Sequence, residues 1–283
     1  MTNEYPHLVS KLAGVAAALA GLFGIGALAG AVIHPSAPGG NAAAGMGHGG
    51  DKMAMSVRGL AVADHGLRLV VADPELRRGR SRQLRFRIVD DRGQAVRDFD
   101  LEHTKRMHLI VARRDLTGFQ HLHPTMAADG TWSVPLRLSE AGSYRVFADF
   151  SRGDEPITLA DDLRVDGAAD LQALPAPTTS AVSDGGYGVR LGEGAARAGA
   201  ETPLRFTVTK DGRPVQTEPY LGAGGHLVAL REGDLAFLHV HPTSDDGAIG
   251  FDATFPSPGA YRLFLQFKVN GTVQTVAFTQ EVR

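Results

Sequence analysis

Residues 108–124, HLIVARRDLTGFQHLHP, return as HLVALREGDLAFLHVHP at residues 226–242. Both copies read histidine, twelve residues, histidine, one residue, histidine, proline, and seven of the seventeen positions are identical. The identities include all three histidines of each copy: His108, His121 and His123, then His226, His239 and His241. Self-similarity at a fixed spacing sets a domain plan before any local reading. The likeness extends outward: LRFRIVDDRGQAV from Leu84 matches LRFTVTKDGRPV from Leu204, and AGSYRVFADF from Ala141 matches PGAYRLFLQF from Pro258. With landmarks in the same order at a nearly constant offset, residues 57–166 and 181–283 read as two copies of one fold.

From residue 57 onward, short runs of β-branched and aromatic residues alternate with turn signals. GLRLVVAD, QLRFRIVD, TWSVPLRL, SYRVFADF and ITLADDLRV are strand-like, and DDRG, ADG, EAG and SRGD separate them. No amphipathic helix of convincing length interrupts them. This pattern predicts an all-β chain of two tandem immunoglobulin-like antiparallel β-sandwich domains. Residues 167–180, GAADLQALPAPTTS, break the rhythm and read as the linker. Tyr144 and Tyr261, each two residues after a glycine and opening a late strand, read as tyrosine corners. Trp132 and the phenylalanines read as core, while His34 and His65 stand alone and carry no functional signal.

The N-terminal part differs. Residues 12–33, LAGVAAALAGLFGIGALAGAVI, hold no charge over 22 positions, enough to cross a hydrocarbon core of about 30 Å. With Lys11 before this segment and no Lys or Arg after it until Lys52, the charge bias places residues 1–11 in the cytoplasm and the C-terminal domains outside. The expectation is a single-pass anchor in the cytoplasmic membrane; a cleaved signal peptide and a secreted product form the alternative, with Ala27-Leu28-Ala29 as the cleavage signal. Residues 34–56 are rich in Gly, Ala and Pro and read as a flexible tether. Within it Met46, His48, Met53 and Met55 crowd into ten residues of a chain that has six methionines in all. Thioether sulfur with imidazole suits Cu(I), and a low-complexity spacer is the competing reading.

A formal net charge of -2 gives no electrostatic case for nucleic acid. The absence of cysteine excludes disulfides and thiolate metal sites, so metal chemistry would rest on histidine, methionine and carboxylates. No phosphate-binding glycine loop, nucleophile elbow or His-Glu-x-x-His helix is present.

The histidine spacing fits a β-hairpin. If strands 108–113 and 116–123 are joined by a two-residue turn at Arg114-Asp115, His108 lies opposite His121, and His123 shares their face because side chains alternate with period two. The same register, with a turn at Glu232-Gly233, gathers His226, His239 and His241. Pro124 and Pro242 would end their strands just beyond. Three neutral imidazoles suit Cu(II), Zn(II) or Ni(II) and leave a coordination position open. The tether favours copper over zinc. Met107 adds a soft donor and His103 a nitrogen, although a regular strand aims both away from His108, and an irregular approach near Thr104-Lys105 is required. Asp149 can assist the first site; the second copy has Leu221, Gly225 and Gln266 at the places of His103, Met107 and Asp149, and so reads as the poorer site. Against this stands a purely structural role, in which the histidines bond backbone groups at a strand corner.

The run EHTKRMHLIVARRDLTGFQHLHP followed by DGTWSVPLRLSEAGSYRVFADF resembles secreted or membrane-anchored bacterial proteins associated with copper and heavy-metal handling, and is similar to YtkA-like and copper-resistance carrier β-sandwich domains. The resemblance covers residues 84–150 and, more loosely, the second half. It implies functional roles for His103, His108, His121, His123 and Asp149. The expected function is therefore an extracytoplasmic, membrane-anchored protein that captures or hands on copper without turning over a substrate. A non-metal adhesion or interaction module with an envelope protein partner is the alternative, and a metalloenzyme ranks last.

Overall fold

A computed structural model describes residues 57–192, 194–238, 240–245 and 248–283, with the side chains of His241, Ser244, Asp245 and Ala248 outside that description. The segment at 12–33 and the tether with Met46, His48, Met53 and Met55 lie outside the described residues.

Among the described residues the chain is all strand and turn. The first half contributes β1 (Ala63–Asp64), β2 (Leu67–Ala72), β3 (Glu75–Leu76), β4 (Ser81–Asp90), β5 (His108–Arg113), β6 (Gln120–Leu122), β7 (Thr125–Met126), β8 (Trp132–Arg137), β9 (Gly142–Arg152) and β10 (Glu155–Val165). The second contributes β11 (Ser180–Val182), β12 (Gly188–Leu191), β13 (Glu201–Lys210), β14 (Arg213–Pro214), β15 (His226–Arg231), β16 (Phe237–Leu238), β17 (His241–Asp245), β18 (Ala248–Thr254), β19 (Gly259–Val269) and β20 (Thr272–Val282). Each half folds into two sheets: β1-β2-β4-β8-β7 and β3-β10-β9-β5-β6 in the first, β11-β12-β13-β18-β17 and β16-β15-β19-β20 in the second, with β14 added to β13.

Both tyrosine corners form as the sequence predicts. Tyr144 Oη donates to the Glu140 carbonyl at 2.9 Å and Tyr261 Oη to the Ser257 carbonyl at 3.0 Å, each four residues upstream. Trp132 lies in the first core, stacked on Phe86 and edge-on to Phe99.

Burial separates the four sheets into outer and inner ones. In β4 and β13 buried and exposed residues alternate, the mark of a sheet with one face in water. In β5 all six residues are buried, and the middles of β9, β15 and β19 are buried without alternation. Leu109 and Val111 point into the first sandwich's core, and Leu227 and Ala229 into the second's. Their neighbours Ile110, Ala112, Val228 and Leu230 point the other way, into a third cluster with Phe147, Phe237 and Phe264. This third cluster joins the two sandwiches through their inner sheets, and the described residues fall in one compact unit. Phe119 and Phe264 stack across the joint with ring centroids 4.1 Å apart and planes 5° apart. The connecting residues 166–179 carry no strand, yet Leu174 packs on the joint and the Gln172 N–H donates to Asp115 Oδ2 at 2.8 Å.

Residues 58–61 run along the same joint. The Phe237 N–H donates to the Arg58 carbonyl at 3.0 Å and the Ala160 N–H to the Ala61 carbonyl at 2.8 Å, so the segment bonds to both halves. Arg145, paired with Asp162 at 3.2 Å, donates to the carbonyls of Gly59 and Leu60 and holds the segment from beneath. Gly59 has φ of 70°, and a β-carbon there would meet Phe237 Cβ at 2.7 Å and Phe147 Cδ1 at 2.9 Å. Gly59→Ala is expected to destabilise the protein by about 2–4 kcal/mol, combining overpacking with the left-handed backbone penalty. Denaturant unfolding measures this, and a change below about 0.5 kcal/mol would show that the segment does not matter to the joint.

Candidate metal centre

His108 opens β5, and alternation puts it on the face of Ile110 and Ala112, toward the joint. The observed hairpin register pairs Ile110 with His121 and Leu109 with Leu122, a shift of two residues from the expected pairing of His108 with His121. The shift arises because the connection is longer than a two-residue turn: Leu116 and Gly118 both take positive φ, and the Arg113 N–H bonds the Thr117 carbonyl. A slip by two preserves side-chain parity, so the convergence survives the error in register. His123 follows β6, and Pro124 sits where the chain leaves the inner sheet for β7 of the outer one. In the second copy, by contrast, Pro242 lies within β17 opposite Phe251 rather than after it; β17 is an edge strand, where a missing N–H is tolerated.

His108, His121 and His123 can each offer a ring nitrogen such that all three lie within 4.8 Å of one another. Their rings stand 4.7 to 5.2 Å apart, centroid to centroid. His226, from the second sandwich, joins them: its ring stacks on His121 at 4.6 Å and on His108 at 5.5 Å, and His103 lies 5.7 Å from it. His103 arrives on a tight turn in which Glu102 and Lys105 exchange both backbone hydrogen bonds while His103 and Thr104 take φ of 46° and 68°. This two-residue turn is the irregular approach that the sequence demanded. It recurs at Tyr220–Ala223, with Leu221 and Gly222 at positive φ.

Two hydrogen bonds engage one nitrogen of each of two rings. His108 Nε2 lies 3.1 Å from the Glu102 carbonyl, and His121 Nδ1 lies 2.7 Å from Gln266 Oε1. Both oxygens can only accept, so each ring donates from that nitrogen and turns its other nitrogen, His108 Nδ1 or His121 Nε2, toward the neighbouring ring. These two nitrogens face each other at 3.0 Å. Two lone pairs at that separation repel unless a cation or proton lies between them. Nitrogens bound at about 2.0–2.1 Å to one metal, with bond angles of about 90–110°, stand about 2.9–3.4 Å apart, so the spacing fits a chelating pair. His123 Nε2 is buried with no hydrogen-bond partner, a third nitrogen in need of one. Ligating histidines characteristically donate their other N–H to a carbonyl or carboxylate, as His108 and His121 do here.

The other expected ligands divide. Asp149 is the cross-strand partner of His108, is buried, and accepts from the Thr158 hydroxyl at 2.6 Å. Burial pushes its carboxyl above the usual range, while Thr158, His108, Arg58 and His103 pull it down. Met107 does not face the histidines: it packs in the first sandwich's core, on the opposite side of the strand from His108, as period-two alternation requires. His239 lies outside the described residues, and of His241 only the backbone is described. Sequence reasoning missed the carbonyl of Glu102 and treated Gln266 as the loss of a ligand. The available signal was the unbroken apolar runs LIVA and LVAL after the first histidine of each motif, which mark strands buried on both faces.

Burial lowers the basicity of this group. Desolvation first, and then the neighbouring rings of His108 and His123, bring His121 down to about 3. Desolvation, His108 and Lys105 bring His123 to about 4, and His226 falls well below the ordinary histidine value for like reasons. An unfolded histidine titrates near 6.5, so as pH falls from about 6.5 toward 4 the unfolded chain takes up protons that the folded one refuses. Asp149, with its raised value, acts in the opposite sense, one carboxyl against three rings. The metal-free protein is therefore expected to lose thermal stability between pH 7 and pH 5, and His121→Gln/His123→Gln to flatten that dependence. A wild-type unfolding midpoint that stays constant over this range would contradict the burial of neutral rings.

A family model described as a domain of unknown function, DUF8832, matches the chain at residues 61–167 and again at 180–283. No curated protein matches its sequence. Among solved structures, the Escherichia coli adhesin FdeC is 18% identical at a TM-score of 0.28, and Yersinia pseudotuberculosis InvD 12% identical at 0.26. A chimeric titin Z1Z2 is 14% identical at 0.21 over 76% of this chain and 96% of its own. The alignments with the first two cover 79% and 77% of this chain, which spans 66% of the solved FdeC chain and 57% of the solved InvD chain. At such scores these likenesses carry no argument about function. With both halves matched by the same model, the chain belongs to the DUF8832 family and carries two copies of its domain.

Proposed function

We propose that this protein binds a transition-metal ion at the joint between its two sandwiches, through His108, His121 and His123 with His226 at hand, and that it captures or hands on copper. The observation that carries the reading is the 3.0 Å approach of His108 Nδ1 to His121 Nε2, on two rings whose other nitrogens each meet an oxygen acceptor. The unpartnered His123 Nε2 supports it. The donor set is nitrogen-rich, which suits Cu(II) and Zn(II) alike; Met46, His48, Met53 and Met55 in the tether favour copper. The apolar stretch at residues 12–33 and the charge bias around it support a place outside the cytoplasmic membrane, anchored by that segment. The reading is of a protein that binds the ion rather than one that turns over a substrate.

Calorimetric titration of the full-length protein in detergent with Cu(II), Cu(I) and Zn(II) is the test. One site per chain is expected, with affinity falling by at least about 100-fold in His121→Ala/His123→Ala as two ligands are lost. A folded wild-type protein that takes up none of the three ions would overturn the reading and leave a two-domain interaction module in its place.

A further inference from the structure

Asp149 and Gln266 occupy the same place in the two copies. Each is the cross-strand partner of the first histidine of its motif, Asp149 of His108 and Gln266 of His226. Each also bonds a threonine on the following strand: the Thr158 hydroxyl donates to Asp149 at 2.6 Å, and Gln266 Nε2 donates to Thr275 Oγ1 at 3.2 Å. The Thr275 contact takes up the amide nitrogen and leaves Oε1 facing the joint. There it meets His121 Nδ1 of the other sandwich at 2.7 Å. Gln266 is buried, so water does not compete for this bond.

We infer that Gln266 is a positioning residue acting across the joint: it fixes His121 of the first sandwich in the Nδ1–H form, so that Nε2 is the donor nitrogen. The second sandwich is thereby part of the first triplet's metal site without itself supplying that ligand. An amide suits this task where a carboxylate would add charge, because it can only accept through its oxygen once its nitrogen is engaged. Among the described residues the first sandwich holds no other acceptor on His121 Nδ1, so the donor set is complete only with the two halves docked. Binding of the ion and docking of the sandwiches are then thermodynamically linked, since a ligand that favours the docked state stabilises it.

The inference rests on the metal reading, and the experiment separates the two. Full-length protein with ¹⁵N-labelled histidine, wild type and the variants Gln266→Leu and Gln266→Glu, is studied metal-free by NMR and then titrated with Zn(II). In the metal-free wild type, His121 is expected to carry its proton on Nδ1; Gln266→Leu should abolish that preference and weaken Zn(II) about 10- to 100-fold, the usual cost of removing a partner that orients a ligand. Gln266→Glu, which keeps an acceptor at the same position, should retain both the Nδ1–H form and binding. A proton on His121 Nε2 in the wild type, or unchanged Zn(II) affinity in a folded Gln266→Leu, would overturn the inference. Failure of the wild type to bind Zn(II), Cu(II) or Cu(I) while His121 shows the Nδ1–H form would instead overturn the metal reading.

Discussion

The rest of the structure depends on β5 and β15 being apolar on both faces. A strand in an ordinary two-sheet sandwich has one face in the core and one in water, and its sequence alternates accordingly. Here Ile110, Ala112, Val228 and Leu230 occupy the face that would otherwise meet water. Left apart, each sandwich would expose those residues together with Phe147 or Phe264, a contiguous apolar patch of the kind that marks an interaction surface. Docking the two inner sheets removes both patches at once. At about 25 cal/mol per Å² of apolar area, a few hundred Å² on each side is worth several kcal/mol, comparable to the whole stability of a small domain.

The histidines take their character from that constraint. His108 and His226 lie on the same faces as the joint's apolar residues, at the start of the strands that build it. They are therefore desolvated by the same packing that holds the sandwiches together. Desolvation keeps the rings neutral, and neutral rings keep the lone pairs that a metal requires. The tight turn at Glu102–Lys105 contributes in a different way, since its carbonyl takes the second nitrogen of His108. Holding Thr104, a β-branched residue, at φ of 68° costs about 1–2 kcal/mol, and such strain is characteristic of places where geometry is fixed for a purpose.

Much of this was legible in the residues. The strands, the duplication, the tyrosine corners and the sharing of one face by His108, His121 and His123 follow from period-two alternation and repeat matching, which are local properties. The hairpin register did not follow, because a turn's length depends on which residues adopt positive φ; Leu116 does so without announcing itself as glycine or asparagine would. Met107 was legible in principle, since the alternation that aims His108 at the joint aims its neighbour at the core. The meeting of the two halves was harder. Two triplets on two sandwiches suggest two sites, and only the uninterrupted apolar runs beside them indicate that the sandwiches cover each other.

That meeting changes what duplication means for the site. Independent copies would drift independently, and replacing Asp149's counterpart by Gln266 would be the decay of a second centre. In a shared joint, a residue that differs in one copy can serve a side chain of the other. Gln266 reaches His121 of the first sandwich, and His226 stacks on both His108 and His121, so both a replaced and a retained residue of the second copy act on the first copy's triplet. Three imidazoles in one strand pair could come from a single domain; imidazoles with their tautomers set require acceptors placed on each side of the pair. A single sandwich provides one such acceptor, at Glu102, and its docked duplicate provides the other.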